Sequence, residues 1–581
     1  MDPSQMKAAI SGAAVQSDKS MLSATKKESM SGKDELFKLN QLWYRVPPGL
    51  SLVSKRCLTR SNFQQTSYPA ISTKQMVMTI NTGEFYVSAP TSYLVLQVGI
   101  DKVAALADKD ANAYALLGQG DILNLIDEVY FQSASGTEIA RESEKGLCNS
   151  VIQRALLSQE HINTAGELSG WAGGTLRECF DSKGWAGNAT TPPFLYPIRN
   201  TTYLDSTETT TTASSTSYGT TMGTVDLAYT TDETAKNPKG PKTFIVPMKR
   251  VLSCFAPYMN ALFPASALAG GVLTIRFKNT AESLIAAGSK FTGGSASANQ
   301  AAATSFLNNL NVLNCYILWD SFQLNDSVLK RLNEVSASTE GLSVMFDCWD
   351  WAQSQTSSLT TEAQVSQARS IVSRSICVVR DQAQIKNPFA NSLSSEAAIS
   401  RETGYDNEYI SGGTVKPIVT NFQSQLGSLY FPQQPLETPE EYCMNAWYIL
   451  GKNYLNSDET SSLTLDDFYG AQGKGQYSGV FPSITNVAPY VGTYSGTRTI
   501  YTKANLPPWC QNWGGAIYGF LAERSQLLQL TGLPISNARL LRHKFTFSQA
   551  TKSSSPRTID VFTQYARVMK VFLGGRIVMR E

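Results

Sequence analysis

Thr243–Phe277, TFIVPMKRVLSCFAPYMNALFPASALAGGVLTIRF, decides the fold class of this chain. It carries no charge between Arg250 and Arg276, yet Pro257 and Pro264 would each remove a backbone donor from a continuous helix, and the Gly270-Gly271 pair would loosen it further. A membrane span needs about 20 uninterrupted apolar residues, which this stretch does not supply. Strand, short buried helix, strand is the reading that fits. Thr243 to Val246 is a brief β-type run, and after the glycines Val272, Thr274 and Arg276 alternate with Leu273, Ile275 and Phe277. That period of two marks a strand with one buried face. Phe255, Leu262, Phe263, Leu273 and Ile275 are the expected core.

Composition extends this reading to the whole chain. Its 581 residues would make about four average domains, but all-β sandwiches take roughly 200 to 250 residues each, so two large domains fit equally well. Charged residues are only 17% of the chain, while Ser, Thr, Asn and Gly crowd the connections, as in strand-and-turn proteins. A net charge of +2 gives no overall field towards nucleic acid or an anionic membrane. The N-terminal lysines, Lys7, Lys19, Lys26, Lys27 and Lys33, are offset by Asp2, Asp18, Glu28, Asp34 and Glu35, so the arm is not a polybasic tail. Nine scattered cysteines without CxxC spacing read as buried thiols made in a reducing intracellular compartment. No apolar run near the N-terminus suggests a secretory signal, so the sequons at Asn188, Asn200 and Asn325 carry little weight.

Working outward, residues 1–45 read as a polar arm, with order expected near Trp43 and Tyr44. From Met76 strands follow: VMTI, a turn at Asn81-Thr82-Gly83, EFYV, a break at Pro90, then SYLVLQVGI, which is apolar on both faces. Asp121–Ala140 reads as two strands joined through Ser133–Gly136, and Leu147–Leu157 as helix. Trp171–Lys242 is Gly, Thr, Ser and Pro rich, with a Thr/Ser tract inside an insertion at about 180–242. Leu313–Val335 reads as a strand and then a helix capped by Asn325 or Asp326, with a domain boundary after it. Strand grammar restarts at Gly341 with LSVMFDCWDW and SIVSRSICVVR. In Phe422–Leu436, FQSQLGSLYFPQQPL, Pro432 and Pro435 are expected to end ladder pairing and turn the chain out of its sheet. Ala516–Phe547 reads as a strand, a short helix ended by Gly532 and Pro534, and a long strand; Thr558–Glu581 alternates and closes the fold. Val129-Tyr130-Phe131 and Leu429-Tyr430-Phe431 form a faint internal echo, as if one unit were duplicated.

The strand leading to prolines, phenylalanines and Gly270-Gly271, the GSLYFPQQP strand end at Gly427–Pro435, and the PISNARLLRHKFTF and DVFTQYARVMKV segments together resemble the double jelly-roll major capsid proteins. This is the adenovirus-hexon-like lineage that includes virophages and polinton-like viruses, and the resemblance runs from about Met76 onwards. It implies an all-β chain of two consecutive eight-stranded jelly-roll β-sandwiches with short helices and long loop insertions: an arm over 1–45, a first jelly roll over 46–338 and a second over 339–581. It implies a homotrimer forming a pseudo-hexagonal capsomer in an icosahedral virion shell. Neighbouring capsomers, penton and minor capsid proteins would be its partners, an internal membrane would be touched indirectly, and the outer loops would meet a host receptor or glycan. Tyr430, Phe431, Pro432 and Pro435 would then matter for assembly geometry.

Catalytic signals are sparse, and the chain reads as a non-enzyme without cofactor, metal or sequence-specific nucleic-acid binding. His161 and His543 are the two histidines, and His543, between Arg542 and Lys544 on a strand, reads as a solvated or core-edge imidazole. Ser23–Lys26 and Ser327–Lys330 match SxxK without the companion elements of penicillin-recognising enzymes. Gly470–Lys474 has the wrong spacing for a phosphate loop. Trp349 with Trp351, and Trp509 with Trp513, suit core packing or a sugar-stacking platform. The alternatives are therefore a carbohydrate-binding or carbohydrate-active β-sandwich, or a minor capsid or spike subunit.

Overall fold

The computed structural model describes residues 53–81, 85–107, 113–117, 121–157, 165–170, 227–230, 240–258, 262–264, 269–287, 289–291, 296–382, 385, 388, 419–451, 517–522, 532–536, 539–547 and 556–580. The N-terminal arm, most of the Thr/Ser-rich insertion, His161, Trp509 and Trp513 lie outside these residues.

Eight strands of the first half are β1 (Val53–Asn62), β2 (Gln75–Thr79), β3 (Tyr86–Asp101), β4 (Ile126–Gln132), β5 (Glu138–Ser143), β6 (Lys242–Pro247), β7 (Val272–Phe277) and β8 (Asn311–Leu324). They lie in the order β1-β8-β3-β6 in one sheet and β2-β7-β4-β5 in another, with every one of these neighbours antiparallel. The second half contributes β9 (Leu342–Thr356), β10 (Thr360–Val365), β11 (Arg369–Asp381), β12 (Val419–Leu426), β13 (Leu429–Leu436), β14 (Tyr518–Leu521), β15 (Leu541–Phe547) and β16 (Arg557–Val571). Their orders are β9-β16-β11-β14 and β10-β15-β12-β13, again antiparallel throughout. Adding eight to each label of the first half reproduces the second. Two facing sheets with this strand order make a jelly roll. The chain contains two in succession.

The Thr243–Phe277 stretch shows how the first sandwich is filled. Pro247 leads β6 into a helical turn, Met248–Val251, and a tighter turn over Ser253–Phe255 follows. Phe255 and Phe263 are fully buried, Leu273 and Ile275 are buried on β7, and Leu262 is half-buried. The Phe255 ring lies 5.6 Å from Phe131 of β4 and 5.6 Å from Trp319 of β8, so it joins the two sheets. Phe263 lies 5.8 Å from Phe255 and exchanges two backbone hydrogen bonds, 2.8 and 3.0 Å, with Val87 of β3. Gly270 turns the chain with φ +72°, and a Cβ on Gly271 would stand 2.6 Å from the Phe131 ring. The glycine pair thus brings β7 into place beside the ring it must cover.

Several local expectations are corrected. Pro90 does not interrupt the strand: β3 runs through it, and Ala89–Ser92 bulge opposite Trp319 of β8. The bulge is held by Asp320, whose backbone N–H donates to Ser92 Oγ at 3.0 Å and whose Oδ2 accepts from Thr91 Oγ1 at 2.6 Å. A missing proline donor costs nothing where the ladder is already open. Pro432 and Pro435 likewise stay within β13, where the register with β12 shifts between Ser424 and Phe422. Pro534 lies in a short strand, Leu533–Ile535, paired with β11. β16 is buried on both faces over Arg557–Thr563 and does not alternate there. The sequence echo also falls out of step, because Val129–Phe131 lies on β4, whose counterpart is β12, whereas Leu429–Phe431 lies on β13.

Three 12-residue helices stand among the described residues, one of them, Ala296–Leu307, ahead of β8. α1 (Asp326–Ala337) follows Asn325 at its N-cap and links β8 to β9. α2 (Pro439–Leu450) opens with a reciprocal cap: Thr438 Oγ1 accepts from the Glu441 N–H at 3.3 Å, and Glu441 accepts from the Thr438 N–H at 3.1 Å. Among the described residues no helix is long and apolar enough to cross a membrane.

Gly271→Ala should lower stability by about 1–3 kcal/mol, the usual cost of forcing extra volume into a packed core. Urea denaturation of the two proteins side by side checks this. An unchanged midpoint would mean that Phe131 has room to move.

Candidate assembly surfaces

The polar groups inside the second sandwich serve its packing. His543, on β15, is wholly buried; its Nε2 lies 2.9 Å from Ser375 Oγ of β11 and its Nδ1 2.9 Å from Ser424 Oγ of β12. One imidazole therefore ties the two sheets together, in the core and not at its edge. Burial pushes its pKa down to about 3. Arg380 and Asp560 form a buried ion pair at 2.6 Å, and Asp560 also accepts from the indole N–H of Trp351 at 2.9 Å. Trp349 is 8% exposed. Trp351 is half-buried, with its indole N–H engaged by Asp560. Among the described residues no group of three or more His, Cys, Asp or Glu side chains stands ready to hold a metal. The seven cysteines of the described residues are thiols, six of them buried, and burial pushes Cys148 and Cys315 up to about 12.

The two sandwiches meet around β9, and the Ala286 N–H also donates to the Pro388 carbonyl at 2.7 Å. β9 is packed by β5 and by the Ser253–Phe255 turn of the first half. Arg567 of β16 donates from Nη1 to the Ile139 carbonyl at 2.9 Å, and the Tyr258 hydroxyl bonds Asp347 of β9. Burial pushes the Asp347 carboxyl up, against the lowering by its bonds to Tyr258 and Gln564 and by the Arg374 charge. Glu142, at the end of β5, accepts from the Ser253 N–H at 2.9 Å and pairs with Lys145 at 2.5 Å, which fixes that turn against its strand. Under this cover Val344, Phe346 and Cys348 of β9 are 4%, 0% and 0% exposed.

β13 is the reverse case. Among the described residues it pairs with β12 alone and is the edge of its sheet. Phe431 packs half-buried on Phe520 of β14, with ring centres 5.2 Å apart, which anchors the strand. Leu429 and Tyr430 remain 47% and 41% exposed, Pro432 is half-buried and Pro435 exposed. Lys544 Nζ lies 5.5 Å from the Tyr430 ring centre. α2 follows directly and leaves Met444 and Tyr448, one turn apart, 61% and 38% exposed. Its signature, Thr438-Pro439-Glu440-Glu441, is legible in sequence as a capping box with proline in the first turn.

No protein-family model matches the chain, and no curated protein matches it. Solved structures do. The mavirus major capsid protein aligns over 92% of this chain and 92% of its own, at 9% identity and a TM-score of 0.45. The Sputnik virophage structure aligns over 92% of each chain at 10% identity and a TM-score of 0.43. The quasi-atomic capsid of the PBCV-1 virus aligns over 93% of this chain and 99% of its own, at 8% identity and a TM-score of 0.43. The fold assignment rests on the strand orders above.

The lowered pKa of His543 sets a pH dependence. The unfolded chain takes up this proton below about 6.5 and the folded one does not, so stability falls as pH drops from 6.5 towards 3, by about 1.4 kcal/mol per pH unit at most. Thermal melts between pH 6.5 and 5 should fall more steeply for the native protein than for His543→Gln, which keeps a neutral hydrogen-bonding group there. Parallel curves would show that this imidazole is not held neutral.

Proposed function

We propose that this protein is a viral major capsid protein whose three copies form a six-lobed, pseudo-hexagonal capsomer that tiles an icosahedral shell. The observation that carries the reading is the offset-of-eight repeat: two jelly rolls of the same strand order, side by side in one chain. Two sandwiches in each of three copies make six lobes, so a threefold ring can fill a hexagonal lattice position. Cyclic contacts of this kind close on themselves and give a finite block. Jelly rolls also occur in lectins, so the fold alone does not choose between the two uses. The engagement of Trp351 by Asp560 and the burial of Trp349 weigh against a sugar platform at that pair.

The division of the chain in this reading is an arm over 1–45, a first jelly roll over 46–338 and a second over 339–581. The role is structural and not enzymatic, with the virion capsid as its location. Penton and minor capsid proteins are its further partners. A near-neutral chain of net charge +2 meets little like-charge repulsion when many copies approach.

Native mass spectrometry of the purified protein should give trimers, and electron microscopy should show hexagonal blocks. Trimer yield should change little between low and moderate salt. Phe431→Asp, which places a charge against the Phe520 ring, should abolish folding or trimer formation. Purified protein that stays monomeric at capsid-forming concentrations would remove the capsomer reading.

A further inference from the structure

Resting on that reading, we infer that the joint between subunits is β13 of one copy against β1 of the next. The internal joint supplies the argument. Inside the chain, β5 of the first sandwich lies on β9 of the second. Adding eight to both labels turns β5 into β13 and β9 into a seventeenth strand, which is β1 of the following copy. A ring of six similar lobes repeats one kind of contact, alternately within a chain and between chains.

Both strands carry the features this joint needs. Among the described residues β1 pairs with β8 alone and is the edge of its sheet, as β9 is of its own. No residue of β1 is buried, whereas its counterpart β9 has Val344, Phe346, Cys348 and Trp349 buried. Leu58 of β1 is 67% exposed, and β13 offers Leu429 and Tyr430, both above 40%. The counterpart of β13 is again covered: Ile139 and Ala140 of β5 are fully buried. Charge is complementary as well. β1 presents Lys55 and Arg60 to solvent, and β13 runs into the exposed Glu437 and Glu440. Long exposed edges with apolar side chains are surfaces that proteins cover.

The joint is heterologous, so each copy has a β1 half and a β13 half, and the two can be disabled separately. Native mass spectrometry and sedimentation of the full chain provide the test. Leu58→Asp and Tyr430→Asp, each folded by circular dichroism, should each weaken trimer formation at least tenfold. Mixed one to one, they should form a dimer with one copy of each, because the intact β13 of the first variant meets the intact β1 of the second. Trimers of normal strength from either variant would overturn the assignment while leaving the capsomer reading in place. Folded variants that fail to pair when mixed would overturn it too. A wild-type chain that never trimerises would sink both. Should either variant fail to fold, hydrogen exchange on the wild type decides: amides of Lys55–Arg60 and Tyr430–Gln434 should slow together as trimers form. Equal protection of β1 in the monomer would mean that residues 1–52 of the same chain cover it, and would end the proposal.

Discussion

The structure depends on apolar faces of paired sheets being pressed together, and the first sandwich shows how few rings accomplish it. Phe131, Phe255, Phe263 and Trp319 come from β4, the Ser253–Phe255 turn, the bridge to β3, and β8. Each such pair adds about 0.5–1.5 kcal/mol beyond the area it buries. The larger effect is geometric. A turn that carries Phe255 between the sheets must also deliver the chain to β7 beside Phe131, and the Gly270-Gly271 pair makes the approach close enough. The second sandwich repeats the arrangement with Phe422, Tyr518 and Phe545, whose ring centres lie 4.9 to 5.6 Å apart.

Polar groups inside this packing act differently. Arg380–Asp560 and Arg250–Asp121, at 2.6 and 2.7 Å, are almost fully removed from water. Pairs of this kind add little net stability, yet losing one partner strands a buried charge at a cost of about 3–5 kcal/mol. They are constraints on register more than sources of binding energy. His543 belongs with them, since two serines on opposite sheets reach it only when β11, β12 and β15 are correctly aligned. Bonds that cross from one sandwich to the other, such as Arg567 to Ile139 and Tyr258 to Asp347, extend the same logic to the joint.

Legibility followed the range of the interaction. The strand at Val272–Phe277, the hairpin through Gly136, the helix after Asn325 and the restart at Leu342 were all readable, because alternation, glycine and caps act over a few residues. Pro90 misled because a proline ends a strand in local terms, while the bulge that accommodates it is built by Asp320, far away in the sequence. Pro432 and Pro435 misled in the same way, since an edge strand tolerates missing donors that an interior strand would not. The capping box at Thr438 is a local signal of the same kind as the caps. The aromatic anchor of β13 was not local, because Phe520 lies beyond a long intervening stretch.

By itself the sequence determined that this chain is written in strands, that its middle cannot be a continuous helix, and that no whole-molecule charge drives it to nucleic acid, since these follow from composition and short periods. Only the tertiary structure decided the strand order within each sheet, the offset of eight between the halves, and which edges are covered. The reason is physical. Alternation tells a strand which face to bury but says nothing of which neighbour it will pair with, and pairing is settled by the simultaneous closure of two sheets over one core.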